Sequence, residues 1–384
     1  MSSSGEKLVS EFLQVSVNSI TLRRVCVPLL EPFRISNGEA SVKESILVEV
    51  KAKGGITGWG ESSPMSGSFY SDETPETAFR ALKEKLLPLI FAEKEIDVSH
   101  FYKELRSIPG EAFAKAGLEG ALWDAAAKQA GKPLCQMLGG GAANIASGVA
   151  LGIYDTVEEL LERVRLYSAQ GYRRIKIKVQ PGWDLEPVRA VRENFPETPL
   201  MVDANAAYTL EHANIFRELD EYGLMMIEQP LAATAFDEAA ELQKILKTPI
   251  CADESAESLE SLELLIRKNA ARVINIKIQR VGGLSEAILM LQRARSAGLK
   301  CWVGTMPELG VASAQGLHFA SLGGFSYPTD IEASARWFAD DIIEPQIEID
   351  NEGFIQIAEG AGNGFEVSLE KVERYAVASE TFKA

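Results

Sequence analysis

Only three histidines and four cysteines occur in 384 residues, which leaves little material for zinc or disulfide chemistry. Cys26, Cys135, Cys251 and Cys301 are scattered and form no C-x-x-C pair, so reduced thiols in a cytoplasmic protein are expected. Long apolar runs are also missing. Nothing approaches the roughly 18 residues that span a bilayer, and Met1 to Gln14 has no apolar leader core. Positive charge is in short supply: 39 Lys and Arg against 55 Asp and Glu give a net charge of −16, which argues against nucleic acid or membrane as a partner. An anionic substrate would then need a locally positive site.

What is present falls into two rhythms. Val15 to Pro28, Glu44 to Lys53 and Ile56 to Gly60 read as strands, with Gly54-Gly55 as a turn. Helical spacing follows over Thr74 to Ile90 and Ala112 to Ala130, and Gly131-Lys132-Pro133 stops the second. From Ser147 the pattern changes to short apolar strands alternating with amphipathic helices. The strands read are 148–152, 174–179, 200–204, 224–228, 249–253, 273–277, 300–304 and 327–331. Helices fall over 156–170, 185–194 and 285–297, and Gly171, Gly223 and Gly298 sit where helix C-caps belong. Eight strands with intervening helices predict an α/β fold, a (β/α)8 TIM barrel behind an N-terminal α+β capping domain. The boundaries expected are a tail over 1–14, the capping domain over 15–140, the barrel over 141–335, and a segment over 336–384 that packs back on the capping domain.

The chemistry lies at the strand ends. Lys178, Asp203, Glu228 and Asp253 follow one another at intervals of 25 residues, and Lys277 comes 24 further on. One β/α unit separates each from the next, so all five face the mouth where barrel enzymes keep their sites. A single Asp at a strand end is usually a helix cap; five ionisable residues in phase with the repeat are not so explained. Asp203, Glu228 and Asp253 supply hard oxygen donors that repel one another unless a cation joins them, which predicts Mg²⁺, with Mn²⁺ as substitute. Lys178 and Lys277 flank this arc as candidate acid/base groups, and the nearby Mg²⁺, the other lysine and partial burial are expected to lower their pKa values. Lys176, two residues from Lys178, points the same way and adds positive charge for a substrate carboxylate. Glu254, beside Asp253, stands either as a helix cap or as part of the site. Gly282-Gly283 is either a turn toward an anion or a plain loop. His100, His212 and His318 lie away from the strand ends and read as structural, and Trp59 reads as a packing residue.

At these residues the chain resembles the enolase superfamily in its muconate-lactonizing subgroup, over about Val17 to Tyr375. The supporting motifs are G-W-G-E-S-S-P at Gly58 to Pro64, A-L-W-D at Ala121 to Asp124, and K-x-K at Lys176 to Lys178. Within the subgroup it is most similar to the o-succinylbenzoate synthase/N-succinylamino acid racemase family, through F-Y-S-D-E-T at Phe69, K-I-K-V-Q-P-G-W-D at Lys176 and P-T-D-I-E-A-S-A-R-W-F at Pro328. The resemblance implies Lys178 and Lys277 as the acid/base pair and Asp203, Glu228 and Asp253 as metal ligands. It implies Asn205 and Lys176 as support for the substrate carboxylate, and Arg280 as a position linked with racemisation. Phe33, Arg34, Phe69 and Tyr70 would close over the substrate. Two stretches depart from the family pattern. K-P-G-R-V-G-G reads K-I-Q-R-V-G-G at Lys277 to Gly283, and the loop after the seventh strand reads G-T-M-P-E-L-G, which puts Gly304, Met306 and Glu308 among the substrate-facing candidates. The implied activity is dehydration to o-succinylbenzoate, racemisation of N-succinylamino acids, or both. Dipeptide epimerase and cycloisomerase are the alternatives. The implied partners are a small-molecule carboxylate and further copies of the chain.

Overall fold

The computed structural model describes residues 13–67 and 70–383. Most of the tail expected over 1–14 therefore lies outside the described residues, as does Phe69. Four antiparallel strands form the N-terminal sheet: β1 (Val17–Ile35), β2 (Gly38–Ala52), β3 (Thr57–Ser62) and, from the far end of the chain, β11 (Ala376–Lys383) on the outer side of β1. Helices α1 (Pro75–Ala81), α2 (Val98–Arg106) and α3 (Ala112–Gln129) accompany the sheet. Sequence periodicity did not single out α2, which Asp97 caps through the Ser99 N–H.

The glycines of G-W-G-E are explained by packing. Strand alternation puts Gly58 and Gly60 on one face of β3. A Cβ at Gly60 would lie 2.0 Å from the Gly117 carbonyl oxygen of α3, and one at Gly58 would lie 2.2 Å from that of Ala121. The strand and helix backbones touch, and neither side can yield. We expect Gly60→Ala to lower stability by about 3 kcal/mol, read from the midpoint of denaturant unfolding; a loss below about 1 kcal/mol would contradict this packing. Trp59, between them, is buried as read, and Arg23 lies 5.6 Å over its ring. Asp124 of A-L-W-D accepts from the Trp59 and Asn363 N–H groups and from Lys128.

Seven parallel strands then stand side by side in chain order: β4 (Val149–Leu151), β5 (Ile175–Lys178), β6 (Leu200–Asp203), β7 (Ile227–Glu228), β8 (Ile250–Ala252), β9 (Val273–Ile276) and β10 (Lys300–Val303). Helices lie between them, including α4 (Val157–Ala169), α5 (Leu185–Asn194), α6 (Ala213–Leu219), α7 (Phe236–Ile245), α8 (Leu259–Lys268), the short α9 (Ile278–Val281) and α10 (Leu284–Ser296), and α11 (Gly310–Ala320) follows β10. Gly171, Gly223 and Gly298 adopt positive φ as helix C-caps must. The predicted eighth strand over 327–331 is not a regular one. The segment nevertheless bonds both edges of the sheet: Ser326 N–H donates to Cys301 and Asp330 N–H to Val303, while Thr329 N–H donates to Ala146 and receives Gly148 N–H at its own carbonyl. Pro328 has no N–H to give, and Gly323 and Gly324 turn the chain at positive φ just before it. The result is a capping domain joined to a barrel-like domain.

Period-two alternation sorts these strands into two cores. Ile175, Ile177, Leu200, Val202, Ile227, Ile250, Ile274 and Ile276 face the main apolar core of the molecule. Met201, Met226, Cys251, Val273 and Trp302 point the other way and make a small inner core of their own. Stepping two residues on from Met201, Met226, Cys251 and Val273 leads to Asp203, Glu228, Asp253 and Asn275, with Lys277 two further on; along β5 the same alternation runs Arg174, Lys176, Lys178. The charged layer therefore rests on an apolar floor. The four cysteines are free thiols, and among the described residues no helix is long and apolar enough to cross a membrane.

Candidate active site

Register fixes the charged layer. Lys178 of β5 stands level with Asp203 of β6, and Asp203 with Glu228 of β7. Lys178 Nζ donates to Asp203 at 2.6 Å and to Asn205 Oδ1 at 2.9 Å. Lys277 Nζ donates to Asp253 at 2.9 Å and to the Tyr70 hydroxyl, from the capping domain, at 3.1 Å. Glu228 accepts from Asn275 at 2.7 Å and from Lys176 at 3.3 Å. Arg280 pairs with Asp253 and with the Tyr70 hydroxyl. Asn205 also donates to Glu254, whose other carboxylate oxygen is buried without a hydrogen bond.

The backbone bends sharply to deliver these groups. Asn205, Ala206 and Gln229 hold positive φ without being glycine, directly after Asp203 and Glu228, where strain has to be held by the surroundings. Gln229 shows how: its Oε1 accepts the N–H groups of Asp253 and Ser255, and its Nε2 donates to Leu231 and Ser255. One side chain thus ties the ends of β7 and β8 together. Gly304 has a steric role, since a Cβ there would sit 2.1 Å from Asn275 Oδ1. Only glycine leaves Asn275 room to reach Glu228.

Burial and mutual repulsion set the electrostatics. Burial, then the neighbouring Asp203, push Glu228 up to about 8. Burial, then Asp253, push Glu254 up to about 7. Burial also pushes Asp203 upward, but Lys178 and Lys176 outweigh it and hold that carboxyl well below its usual range. Arg280 and Lys277 do the same for Asp253. The lowering expected for the lysines counts on Mg²⁺ beside them; the protein groups alone raise Lys277. Burial pulls it down, but the carboxylate of Asp253, with Tyr70 adding to it, outweighs burial and holds the ammonium form.

Lys178 and Lys277 line one cavity of about 40 Å³, together with Phe33, Tyr70, Met306 and Trp337. Phe33 lies under Lys178, 5.9 Å from ring centre to Nζ, and packs edge-on against Trp337. A much larger space of about 1030 Å³ lies across Tyr70 and Arg280, and neither lysine lines it. Chemistry belongs to the smaller cavity, where the candidate bases are. Two predicted residues turn elsewhere. Arg34 pairs with Asp155 and the Ile153 carbonyl, and Glu308 accepts the Met306 N–H and sits near Glu61 and Lys43. Neither lines the lysine cavity, and Asp203, Glu228 and Asp253 lie outside its lining as well. His318 is buried and satisfied by Cys135 N–H and the Asn363 carbonyl, as a structural histidine should be.

Lys176 is more committed than its sequence position suggests. It pairs with Asp330 from the segment that closes onto β4 and β10, and Asp330 also pairs with the fully buried Arg174. Both cations lie about 5 Å over the Trp302 ring. Alternation from Lys178 back to Lys176 and Arg174, and from Lys277 back to Asn275, would have found all but Asp330. We expect Asp330→Ala to cost about 3–5 kcal/mol, because it strands two buried cations; thermal unfolding reads this, and an unchanged midpoint would contradict it.

Among the described residues no three Asp, Glu, His or Cys side chains are gathered into a ready metal cluster. Asp203 and Asp253 turn to lysine or arginine instead. The donor set still fits a hard divalent cation: three buried carboxylates at adjacent strand ends, no thiol or imidazole among them, and a Glu228 that burial and Asp203 raise despite its contact with Lys176.

Known proteins align with this chain along nearly its whole length. Residues 18–139 match the family described as mandelate racemase/muconate lactonizing enzyme, N-terminal domain, and residues 159–372 match the family described as enolase C-terminal domain-like. An o-succinylbenzoate synthase from Geobacillus kaustophilus is 44% identical over 370 residues, covering 96% of this chain and 98% of the relative. An N-succinylamino acid racemase from Thermus thermophilus is 38% identical over 358 residues, covering 93% and 96%. The crystal structure of an enolase superfamily member from Listeria innocua superposes with a TM-score of 0.92 at 36% identity, covering 96% of this chain and 99% of that one. The chain therefore belongs to the enolase superfamily, among the mandelate racemase and muconate lactonizing enzymes, in the family of o-succinylbenzoate synthases and N-succinylamino acid racemases.

Proposed function

We propose that the chain is a Mg²⁺-dependent o-succinylbenzoate synthase, an N-succinylamino acid racemase, or both, acting by removal of the proton next to a carboxylate. The observation that carries this is the pair Lys178 and Lys277, from strands four places apart in the sheet, lining one cavity. The division into a capping domain over 15–140, a barrel over 141–335 and a returning segment over 336–384 is read the same way, and the pairing of β11 on β1 supports it. Hydrogen bonds from residues 326–330 to both sheet edges support a closed eight-stranded barrel.

Asp203, Glu228 and Asp253 would hold the cation, and Mn²⁺ suits the same oxygen donors. When bound, Mg²⁺ supplies fixed positive charge to the substrate carboxylate as the α-proton leaves. Each lysine acts on its own face of the α-carbon. In racemisation, Lys178 takes the proton of one enantiomer and Lys277 returns one from the other side; the opposite direction exchanges their roles. In dehydration, Lys178 takes the proton, hydroxide departs, and Lys277 remains an ammonium group beside the ring. Seating substrate requires Phe33 and Tyr70 to move, because a lysine cavity of about 40 Å³ is far below the roughly 300 Å³ of a small-molecule pocket.

Two assays test the reading. With Mg²⁺ present, the optical rotation of N-succinyl-L-phenylglycine should decay to zero, or the cyclohexadiene precursor should be converted to o-succinylbenzoate with the rise in aromatic absorbance. Failure of both reactions would overturn it.

A further inference from the structure

The two lysines are not held alike. Lys178 donates its hydrogen bonds to the barrel-like domain alone, to Asp203 and Asn205, and the capping domain reaches it only through the Phe33 ring and through Asn37, which donates to the Asn205 carbonyl. Lys277 sits at the start of a nine-residue stretch that the capping domain grips at several points. Its own Nζ meets Tyr70. Two residues on, the buried side chain of Gln279 behaves like a short piece of strand laid against the end of β3. Its Oε1 accepts the Ser63 N–H at 2.9 Å, and its Nε2 donates to the Glu61 carbonyl at 2.8 Å. At the far end of the stretch, Glu119 of α3 accepts the Ser285 N–H at 3.4 Å and fills the space a Cβ at Gly283 would need, 1.9 Å away.

Gln279 is the central clamp. α9 is four residues long and cannot hold its own geometry. Lys277 caps it, so any tilt of α9 moves the lysine. The amide satisfies two backbone groups of the capping domain that are otherwise buried, so the contact is costly to break and directional. The Glu61 that supplies the carbonyl also receives, on its carboxylate, the Leu309 and Ala312 N–H groups at the start of α11. The same point of β3 therefore fixes the loops after both β9 and β10. This position is also one at which the chain departs from the family pattern, reading I-Q where that pattern reads P-G.

We propose that Gln279 is a positioning residue for Lys277 alone: through its two hydrogen bonds to Glu61 and Ser63 it couples the closed capping domain to one of the two faces of the reaction. This rests on the two-lysine reading above. It predicts a lopsided defect, which a general loss of stability cannot produce.

The test is Gln279→Met, which keeps length and flexibility and removes both hydrogen bonds. Exchange of the α-proton in D₂O is followed by proton NMR for each enantiomer of N-succinylphenylglycine separately, with Mg²⁺ in excess. The enantiomer that Lys277 deprotonates is identified as the one whose exchange Lys277→Ala abolishes. Gln279→Met should slow exchange of that enantiomer by about tenfold or more and leave the other within about twofold. Gln279→Glu keeps the acceptor for Ser63 and loses the donor to Glu61, so it should show the same lopsidedness to a smaller extent; it also carries the test if the Met variant does not fold. Equal slowing of both enantiomers, or none, overturns the proposal while leaving the activity standing. A wild-type protein that exchanges neither enantiomer removes the racemase reading and the assignment together, and leaves the synthase reading to its own assay.

Discussion

Lys178→Ala and Lys277→Ala should each lower racemisation by about 10³-fold or more, the scale of a lost general acid/base group. The argument is geometric. A proton has to leave one face of the α-carbon and arrive on the other, and no further lysine lines the cavity except Lys176. Lys176 stands two residues deeper along β5 than Lys178, over the Trp302 ring and paired with Asp330. Each single variant should keep α-proton exchange with one enantiomer, since the remaining lysine still serves its own face. Far-UV circular dichroism should remain native, although each change also breaks a buried ion pair and will lower the melting temperature. Racemisation within tenfold of wild type in either variant would refute the two-base account.

Glu228→Gln should have effects of opposite sign on activity and stability. Loss of one anionic donor should reduce Mg²⁺-supported turnover by roughly 10²-fold, a few kcal/mol of charge stabilisation. In chelated protein the same change should hold or raise the melting temperature at neutral and higher pH. Burial and Asp203 raise the Glu228 carboxyl to about 8, so the folded state binds that proton more tightly than the unfolded chain does. Stability from this group is full below the unfolded value and is lost as pH rises toward 8. Glutamine, always neutral, does not lose it. Thermal melts with chelator at pH 6 and pH 9 would show wild type falling more than the variant. A variant that is both fully active and less stable in chelator would contradict the assigned role.

The main features of this site were readable because the fold imposes two periods on the sequence. The β/α interval near 25 residues marked Lys178, Asp203, Glu228, Asp253 and Lys277, and alternation of two placed Lys176 beside Lys178. The same alternation, carried one step further, reaches Arg174 and Asn275. Asp330 was harder: a strand was read over 327–331, but the segment pairs through isolated hydrogen bonds around Pro328, so alternation along it does not fix which side chains face the site. Arg34 and Glu308 were read from loops, where no period fixes direction, and both turn to partners outside the lysine cavity. The raised Lys277 was missed for another reason: sequence spacing says which charges are near, but not that Asp253 would lie 2.9 Å from this ammonium group and outweigh its burial. Contacts across the domains, such as those of Gln279 with β3, join residues more than 200 positions apart and have no local signature.

The most direct test of the central claim is proton NMR of the two enantiomers of N-succinylphenylglycine, each incubated with purified protein in D₂O, with Mg²⁺ and with chelator. The two-lysine site predicts loss of the α-proton signal from both enantiomers with Mg²⁺ and from neither with chelator. Exchange that survives chelation, or that occurs with one enantiomer only, would contradict it.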